Sequence, residues 1–126
     1  MKKFILVFLF SSLSVFASIE FQKDYKKALT LSKEQNKPLF VMVSSKKCPE
    51  CNYMKKHIFT QKEVSDYIAK NYIAMEFDIK DKTIPEQMQF WGIPRFYFSK
   101  DGMNVYKKKM GGMKKEQFLS FIQKDK

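Results

Sequence analysis

Cys48-Pro49-Glu50-Cys51 holds the only two cysteines of the 126-residue chain. The apolar run at residues 39–43, just ahead of this motif, has the length of a buried strand. The residues after the motif place apolar side chains at helical spacing. The cysteine pair is therefore predicted to lie where a strand passes into a helix.

This position predicts different roles for the two thiols. Pro49 suits the first position of a helix and so places Cys48 at the cap, where free amide hydrogens and the helix dipole favour a thiolate. We expect Cys48 to be the nucleophile and Cys51, one turn further on and facing the core, to be the resolving thiol. Cysteines three residues apart at a helix start can form a disulfide that opens and closes repeatedly.

The first seventeen residues have the three parts of a secretory signal peptide. Two lysines precede an apolar run, and Ala17 supplies the small residue for cleavage. The apolar run is shorter than the roughly 20 residues of a membrane-spanning helix. We therefore expect a signal peptide at residues 1–17 and a single domain at residues 18–126. Export, which we assign to a bacterial periplasm, would permit a disulfide.

The net charge of +11 does not by itself indicate a nucleic-acid partner. The lysines are scattered along the chain rather than gathered in a stripe with exposed aromatic side chains. We expect no binding to nucleic acid.

The periodicity of apolar residues predicts the order α-β-α-α-β-α-β-β-α. This order implies an α/β protein with a central mixed sheet of about four strands and helices on both faces. Helices are predicted over residues 21–35, from the cysteine motif to 59, after a capping box at 60–63, over 83–90 and over 114–124. Strands are predicted over residues 39–43, 72–79, 95–98 and 103–106.

With these elements in place, the chain resembles the thioredoxin superfamily over nearly all of residues 18–126. Three motifs in the expected order carry the resemblance: Cys48-Pro49-Glu50-Cys51, Gly92-Ile93-Pro94 before the hairpin, and Met110-Gly111-Gly112 before the last helix. The resemblance implies a thioredoxin fold with an additional N-terminal helix. Residues 36–41 and 58–64 are most similar to secreted thioredoxin-like reductases, such as the C-terminal periplasmic domain of DsbD.

The resemblance also implies a substrate groove beside the cysteines. The Ile93–Pro94 peptide bond would be cis, and the backbone of Ile93 would pair with a substrate chain as an extra strand. For Trp91, packing in the core is favoured over a place in the groove. The predicted substrate-binding residues are Ile93, Pro94, Pro49, Glu50, Trp91 and Arg95.

The chain departs from the thioredoxin pattern in residues that control proton transfer. Thioredoxins usually carry a buried Asp six residues before the first cysteine, where this chain has Met42. Glu76 falls where the buried thioredoxin Lys would lie, so it is a candidate proton acceptor or else a solvated strand residue. Lys47 and Arg95 would favour the Cys48 thiolate and an oxidising protein, whereas Glu50 would disfavour it.

These features favour a periplasmic thiol:disulfide oxidoreductase that needs no cofactor. We expect a reductant, because oxidases of the superfamily usually insert a helical domain for which this chain has no room; a disulfide oxidase or isomerase is the alternative. The resemblance implies disulfide-bearing secreted proteins or apocytochrome c as clients and a membrane thiol carrier as electron donor. We expect a monomer.

A metal-binding module is the competing class of function. Cys48, Cys51 and His57 could supply soft ligands to Cu(I) or zinc on the same fold. His57, however, lies nine residues from Cys48 along one helix and so cannot converge with it. We interpret His57 as a solvated helix residue and predict no metal site. A redox-inert adaptor is a third interpretation, and the intact cysteine pair argues against it.

Overall fold

In the computed structural model, residues 18–89 and 91–124 are described, and the predicted signal peptide lies outside them. Among these residues, no helix has the length and apolar character of a membrane span. The elements in chain order are α1 (Tyr25–Gln35), β1 (Leu39–Ser44), α2 (Pro49–Tyr53), a π-helical turn (Met54–Ile58), α3 (Lys62–Asn71), β2 (Ile73–Asp78), a 3₁₀ turn (Glu86–Met88), β3 (Arg95–Ser99), β4 (Val105–Met110) and α4 (Lys115–Gln123).

The four strands form one mixed sheet in the order β2-β1-β3-β4. Strand β1 pairs in parallel with β2 and antiparallel with β3, and β3 pairs antiparallel with β4. All six residues of β1 are buried, which explains why this strand reads as a continuous apolar run rather than an alternating one. The predicted four-stranded sheet and N-terminal helix are confirmed.

Helices cover both faces of the sheet and produce two hydrophobic clusters. One cluster joins α3 and α4 to the face that also carries the cysteines, and the other joins α1 to the opposite face. Phe40 of β1 lies at the centre of the first cluster and is fully buried. Its ring centroid lies 5.2–6.3 Å from those of five other rings, Phe21, Phe59, Phe96, Phe98 and Phe118.

The first helix begins at Tyr25 and not at residue 21 as predicted. Asp24 caps it, because its carboxylate accepts a hydrogen bond from the Lys27 amide at 3.2 Å. The residues before the cap follow the edge of β2 instead. The Gln22 amide donates to the Ala74 carbonyl at 2.8 Å, and the Gln22 carbonyl accepts from the Glu76 amide at 3.0 Å. An added strand residue therefore replaces the first predicted turn of helix.

The capping box predicted at residues 60–63 is wrong. Helix α3 begins at Lys62, and its cap residue Gln61 makes no capping hydrogen bond through its side chain. The Thr60 hydroxyl donates to the Lys56 carbonyl at 2.8 Å, so Thr60 closes the preceding π turn rather than opening the next helix.

Two further boundaries differ from the prediction. The helix expected over residues 83–90 is only the 3₁₀ turn Glu86–Met88 within the described part. The strand expected at residues 103–106 is Val105–Met110, because the Asp101 carboxylate accepts bonds from the amides of Met103 and Asn104 and so lengthens the hairpin turn. These backbone bonds lower the pKa of Asp101 to about 2.

Candidate active site

The two cysteines form a disulfide at the junction of β1 and α2. Cys48 is the cap residue of α2, Pro49 follows at the first helical position, and the two Cα atoms are 5.2 Å apart. The Cys51 amide donates to the Cys48 sulfur at 3.1 Å. Cys48 is 8% exposed and Cys51 is fully buried. A substrate approaching from solvent would therefore reach the Cys48 sulfur first.

Glu76 of β2 lies buried beneath the active-site helix. Its Cα pairs with that of Met42 in the parallel register, so the two side chains share the sheet face that carries the cysteines. The Glu76 carboxylate accepts a hydrogen bond from the Ser44 hydroxyl at 2.9 Å and forms ion pairs with Lys23 and Lys55. The alternative of a solvated strand residue is wrong for Glu76.

The two lysines reach Glu76 from different parts of the chain. Lys55 lies in the π turn, four residues after Cys51, and Lys23 precedes α1. Partial burial lowers the pKa of both lysines, and repulsion from Lys23 lowers the pKa of Lys55 further, against a smaller attraction from Asp78. Both side chains keep solvent access, with exposed fractions of 69% for Lys23 and 35% for Lys55. The network thus connects a buried acid to solvent on two sides.

The loop before β3 packs through Ile93 against the hydrophobic cluster that contains the cysteines. The Ile93–Pro94 peptide bond is cis, Pro94 is buried and Ile93 is partly buried. The Pro94 carbonyl accepts a hydrogen bond from the Gly111 amide at 2.8 Å. Gly111 has a φ of 98°, in the region that favours glycine. The second and third sequence motifs are therefore joined by a backbone bond.

Glu50, between the two cysteines, connects α2 to the same loop. One of its carboxylate oxygens accepts a hydrogen bond from the Gly112 amide at 3.2 Å. Pro49 is exposed next to it. The Glu50 carboxylate is therefore exposed to solvent while one of its oxygens is hydrogen-bonded to a backbone amide.

Two of the residues predicted to bind substrate differ in burial from what the sequence led us to expect. The core position favoured for Trp91 is wrong, because this side chain is 90% exposed. Arg95, in contrast, is only 2% exposed and pairs with Val43 on the face opposite the cysteines. Its guanidinium donates to the Gly92 carbonyl at 3.4 Å, which corrects the expected contact of Arg95 with substrate. Arg95 instead holds the loop that carries Trp91.

Sequence reasoning missed Ser44, Lys23 and Lys55 as partners of Glu76. The position of Lys55 one helical turn after Cys51 was a usable signal, since residues four apart share a helix face. Lys23 gave no signal, because its segment was predicted as part of a helix.

No metal cluster is found in the part of the chain that the structure describes, where no three His, Cys, Asp or Glu side chains are grouped to hold an ion. His57 is exposed, and its ring centroid lies 5.4 Å from that of Tyr53. This placement agrees with His57 as a solvated helix residue.

Known proteins share this fold and domain. Residues 25–126 match the family model of the thioredoxin-like domain. A curated relative, an uncharacterised protein of Archaeoglobus fulgidus, is 30% identical over 85 residues, which span 68% of this chain and 65% of the relative. This chain thus covers just under two thirds of that protein.

Two solved structures have a similar fold. A thioredoxin from Thermus thermophilus has a TM-score of 0.72 and 18% identity, with 84% of this chain and 85% of that one covered. A disulphide isomerase from Xylella fastidiosa has a TM-score of 0.62 and 22% identity, with 85% and 98% covered. At these identities the similarity establishes the fold.

The chain thus combines a Cys-x-x-Cys disulfide at a helix start with a cis-proline loop on a thioredoxin fold. The match over residues 25–126 places the chain in the thioredoxin-like domain family. The finer similarity to DsbD stays a prediction.

The exposure of Trp91 predicts that this side chain contributes little to stability. We expect Trp91→Ala to change the free energy of unfolding by less than about 0.5 kcal/mol, the usual range for surface positions. Phe40→Ala, the buried control, should cost about 3–5 kcal/mol. Urea unfolding measures the free energy of unfolding of both variants. A loss for Trp91→Ala as large as that for Phe40→Ala would mean that Trp91 packs in the core.

Proposed function

We propose that the protein is a periplasmic reductant of substrate disulfides. The observation that carries the proposal is the asymmetry of the pair, with Cys48 at the helix cap and edge of the surface and Cys51 buried behind it. The signal-peptide pattern of residues 1–17 supports an exported protein.

The reaction takes two thiol exchanges. The Cys48 thiolate attacks one sulfur of a substrate disulfide, and the substrate bond breaks to give a mixed disulfide and one substrate thiolate. Cys51 then loses its proton and attacks the Cys48 sulfur. The second substrate sulfur leaves as a thiol, and the Cys48–Cys51 disulfide carries away the oxidising equivalents. A thiol donor must supply two electrons for the next cycle.

The short connection between β2 and β3 supports the proposal that the protein reduces its substrates rather than oxidises them. The connection at residues 79–94 includes one 3₁₀ turn and no helical domain in its described part, unlike the oxidases of the superfamily. We propose a membrane thiol carrier as the donor, as in DsbD-type reductases. Disulfide-bearing secreted proteins or apocytochrome c would be the clients. The protein would act as a monomer. The residues that contact the client near the reacting sulfurs would be Ile93, Pro94, Pro49, Glu50 and Trp91.

Glu76 is proposed to take up the proton of Cys51 in the second exchange. Its carboxylate lies on the sheet face beneath the helix that carries Cys51, and Lys55, one turn after Cys51, contacts it. The carboxylate forms ion pairs with both lysines, whose own solvent access gives the proton a way out. Glu76 would thus occupy the role for which thioredoxins use an Asp at the position of Met42.

Substitution of the resolving thiol should trap the intermediate. We expect Cys51→Ser to accumulate a mixed disulfide between Cys48 and a disulfide substrate, because the second attack is lost. Mass spectrometry of alkylated samples measures the adduct. The matched control Cys48→Ser should give no such adduct. Equal adducts with both variants would contradict the assigned order of the two thiols.

Removal of the Glu76 charge should slow only the second exchange. With a chromogenic aromatic disulfide as substrate, one thiol is released on attack and another on resolution. We expect Glu76→Gln to leave the first release unchanged and to slow the second by about tenfold or more at neutral pH. The difference should shrink at alkaline pH, where Cys51 ionises without help.

Three comparisons separate this role from a structural one. Glu76→Asp keeps a carboxylate and should recover part of the rate, whereas Glu34→Gln, at an exposed position of α1, should change neither release. Urea unfolding checks that each variant is folded at the assay temperature. An unchanged second release across the pH range in folded Glu76→Gln would exclude Glu76 as the proton acceptor.

A further inference from the structure

A groove of about 540 Å³ lies between the active-site helix and the start of α4. Both walls of the groove begin, along the chain, within a few residues of groups that belong to the active site. Tyr53 is two residues beyond Cys51, and Lys114 is two residues beyond Gly112, whose amide bonds to Glu50. The side chains that matter here are Tyr53, Lys56, His57, Lys114, Lys115 and Glu116.

The charge of this groove is predominantly positive. Three of its lining residues are lysines, against a single carboxylate at Glu116. Lys115 is paired with Glu63 at 3.0 Å, whereas Lys56 and Lys114 are exposed. Tyr53, which is 42% exposed, adds an aromatic surface to the groove.

The other side of the disulfide is also basic. Lys46 and Lys47 are exposed immediately ahead of Cys48. The carboxylate of Glu50, which lies between the two cysteines in sequence, accepts a hydrogen bond from the Gly112 amide. A polypeptide that brings a disulfide to Cys48 therefore meets positive charge on both sides.

We propose that this groove binds an acidic segment of the substrate, next to the cysteine that Cys48 attacks. The inference rests on the proposed reductase function and names its substrate class: a disulfide flanked by aspartates or glutamates. Lys56 is eight residues beyond Cys48, about 12 Å along the helix axis. An extended chain covers that distance in about four residues, which sets the spacing between the substrate cysteine and its acidic residues.

Two matched peptides test the proposal. Both carry the same intramolecular disulfide, and the four residues next to one cysteine are all glutamate in one peptide and all glutamine in the other. We expect the reduced protein to show a kcat/KM about tenfold higher for the acidic peptide at low salt, through electrostatic steering. At high salt the ratio should approach one, because the charges are screened.

Charge reversal in the groove locates the effect. Lys56→Glu with Lys114→Glu should abolish or invert the preference for the acidic peptide. The control variant, Lys26→Glu with Lys33→Glu, changes the net charge by the same amount at exposed positions of α1, on the opposite face of the sheet. This control should keep most of the preference for the acidic peptide. That control should also reduce the uncharged bis-hydroxyethyl disulfide at the wild-type rate. If the reversed groove variant fails to fold, the glutamine substitutions at positions 56 and 114 should still lower the ratio.

The outcomes separate this inference from the proposed function. Equal reduction of both peptides would overturn the proposal that the groove binds an acidic segment. So would a preference that survives charge reversal in the groove but is lost in the α1 control. Either result would leave the proposed reductase function standing. Failure to reduce either peptide or the small disulfide would overturn the reductase, and the groove proposal with it.

Discussion

Strand β1 runs through the middle of the sheet with helices on both faces, so all six of its residues are buried. That burial fixes its register against β2 and β3, since a slip of one residue would exchange the two hydrophobic clusters. The chain leaves β1 at Ser44 and turns into α2 within four residues. The position of Cys48 at the helix cap is a consequence of where β1 ends.

The same register places the Glu76 carboxylate beneath α2. Glu76 lies beside Met42 in the sheet, so a carboxylate on β2 occupies the layer where thioredoxins place one on β1. A carboxylate in this layer needs counter-charges, because an unpaired buried charge is strongly unfavourable. Lys55 comes from the π turn that continues α2, and Lys23 from the segment next to the edge of β2. The ion pairs therefore couple the cysteine helix to the N-terminal segment.

The sequence predicted the features that depend on local pattern. The apolar run of β1, the helix start at Pro49 and the cysteine pair all lie within one short segment, and the structure has them as expected. Arg95 was misplaced because its burial depends on which sheet face its side chain takes, whereas Trp91 lies in the loop before β3, where the strand period does not predict exposure. The hydrogen bond of Thr60 to the preceding turn was missed for a related reason, and so was the extension of the predicted hairpin turn beyond Asp101. A hydroxyl or carboxylate can bond on either side along the chain, and the local sequence is compatible with both choices.

The reduction potential of the Cys48–Cys51 couple tests the central claim most directly. The mature protein would be equilibrated in graded dithiothreitol or glutathione buffers, and the alkylated thiols counted by mass. A value near or below about −250 mV is expected for a reductant supplied by a membrane thiol carrier. A value near −120 mV would mean an oxidase, and a pair that never closes into an intramolecular disulfide would contradict the oxidoreductase itself.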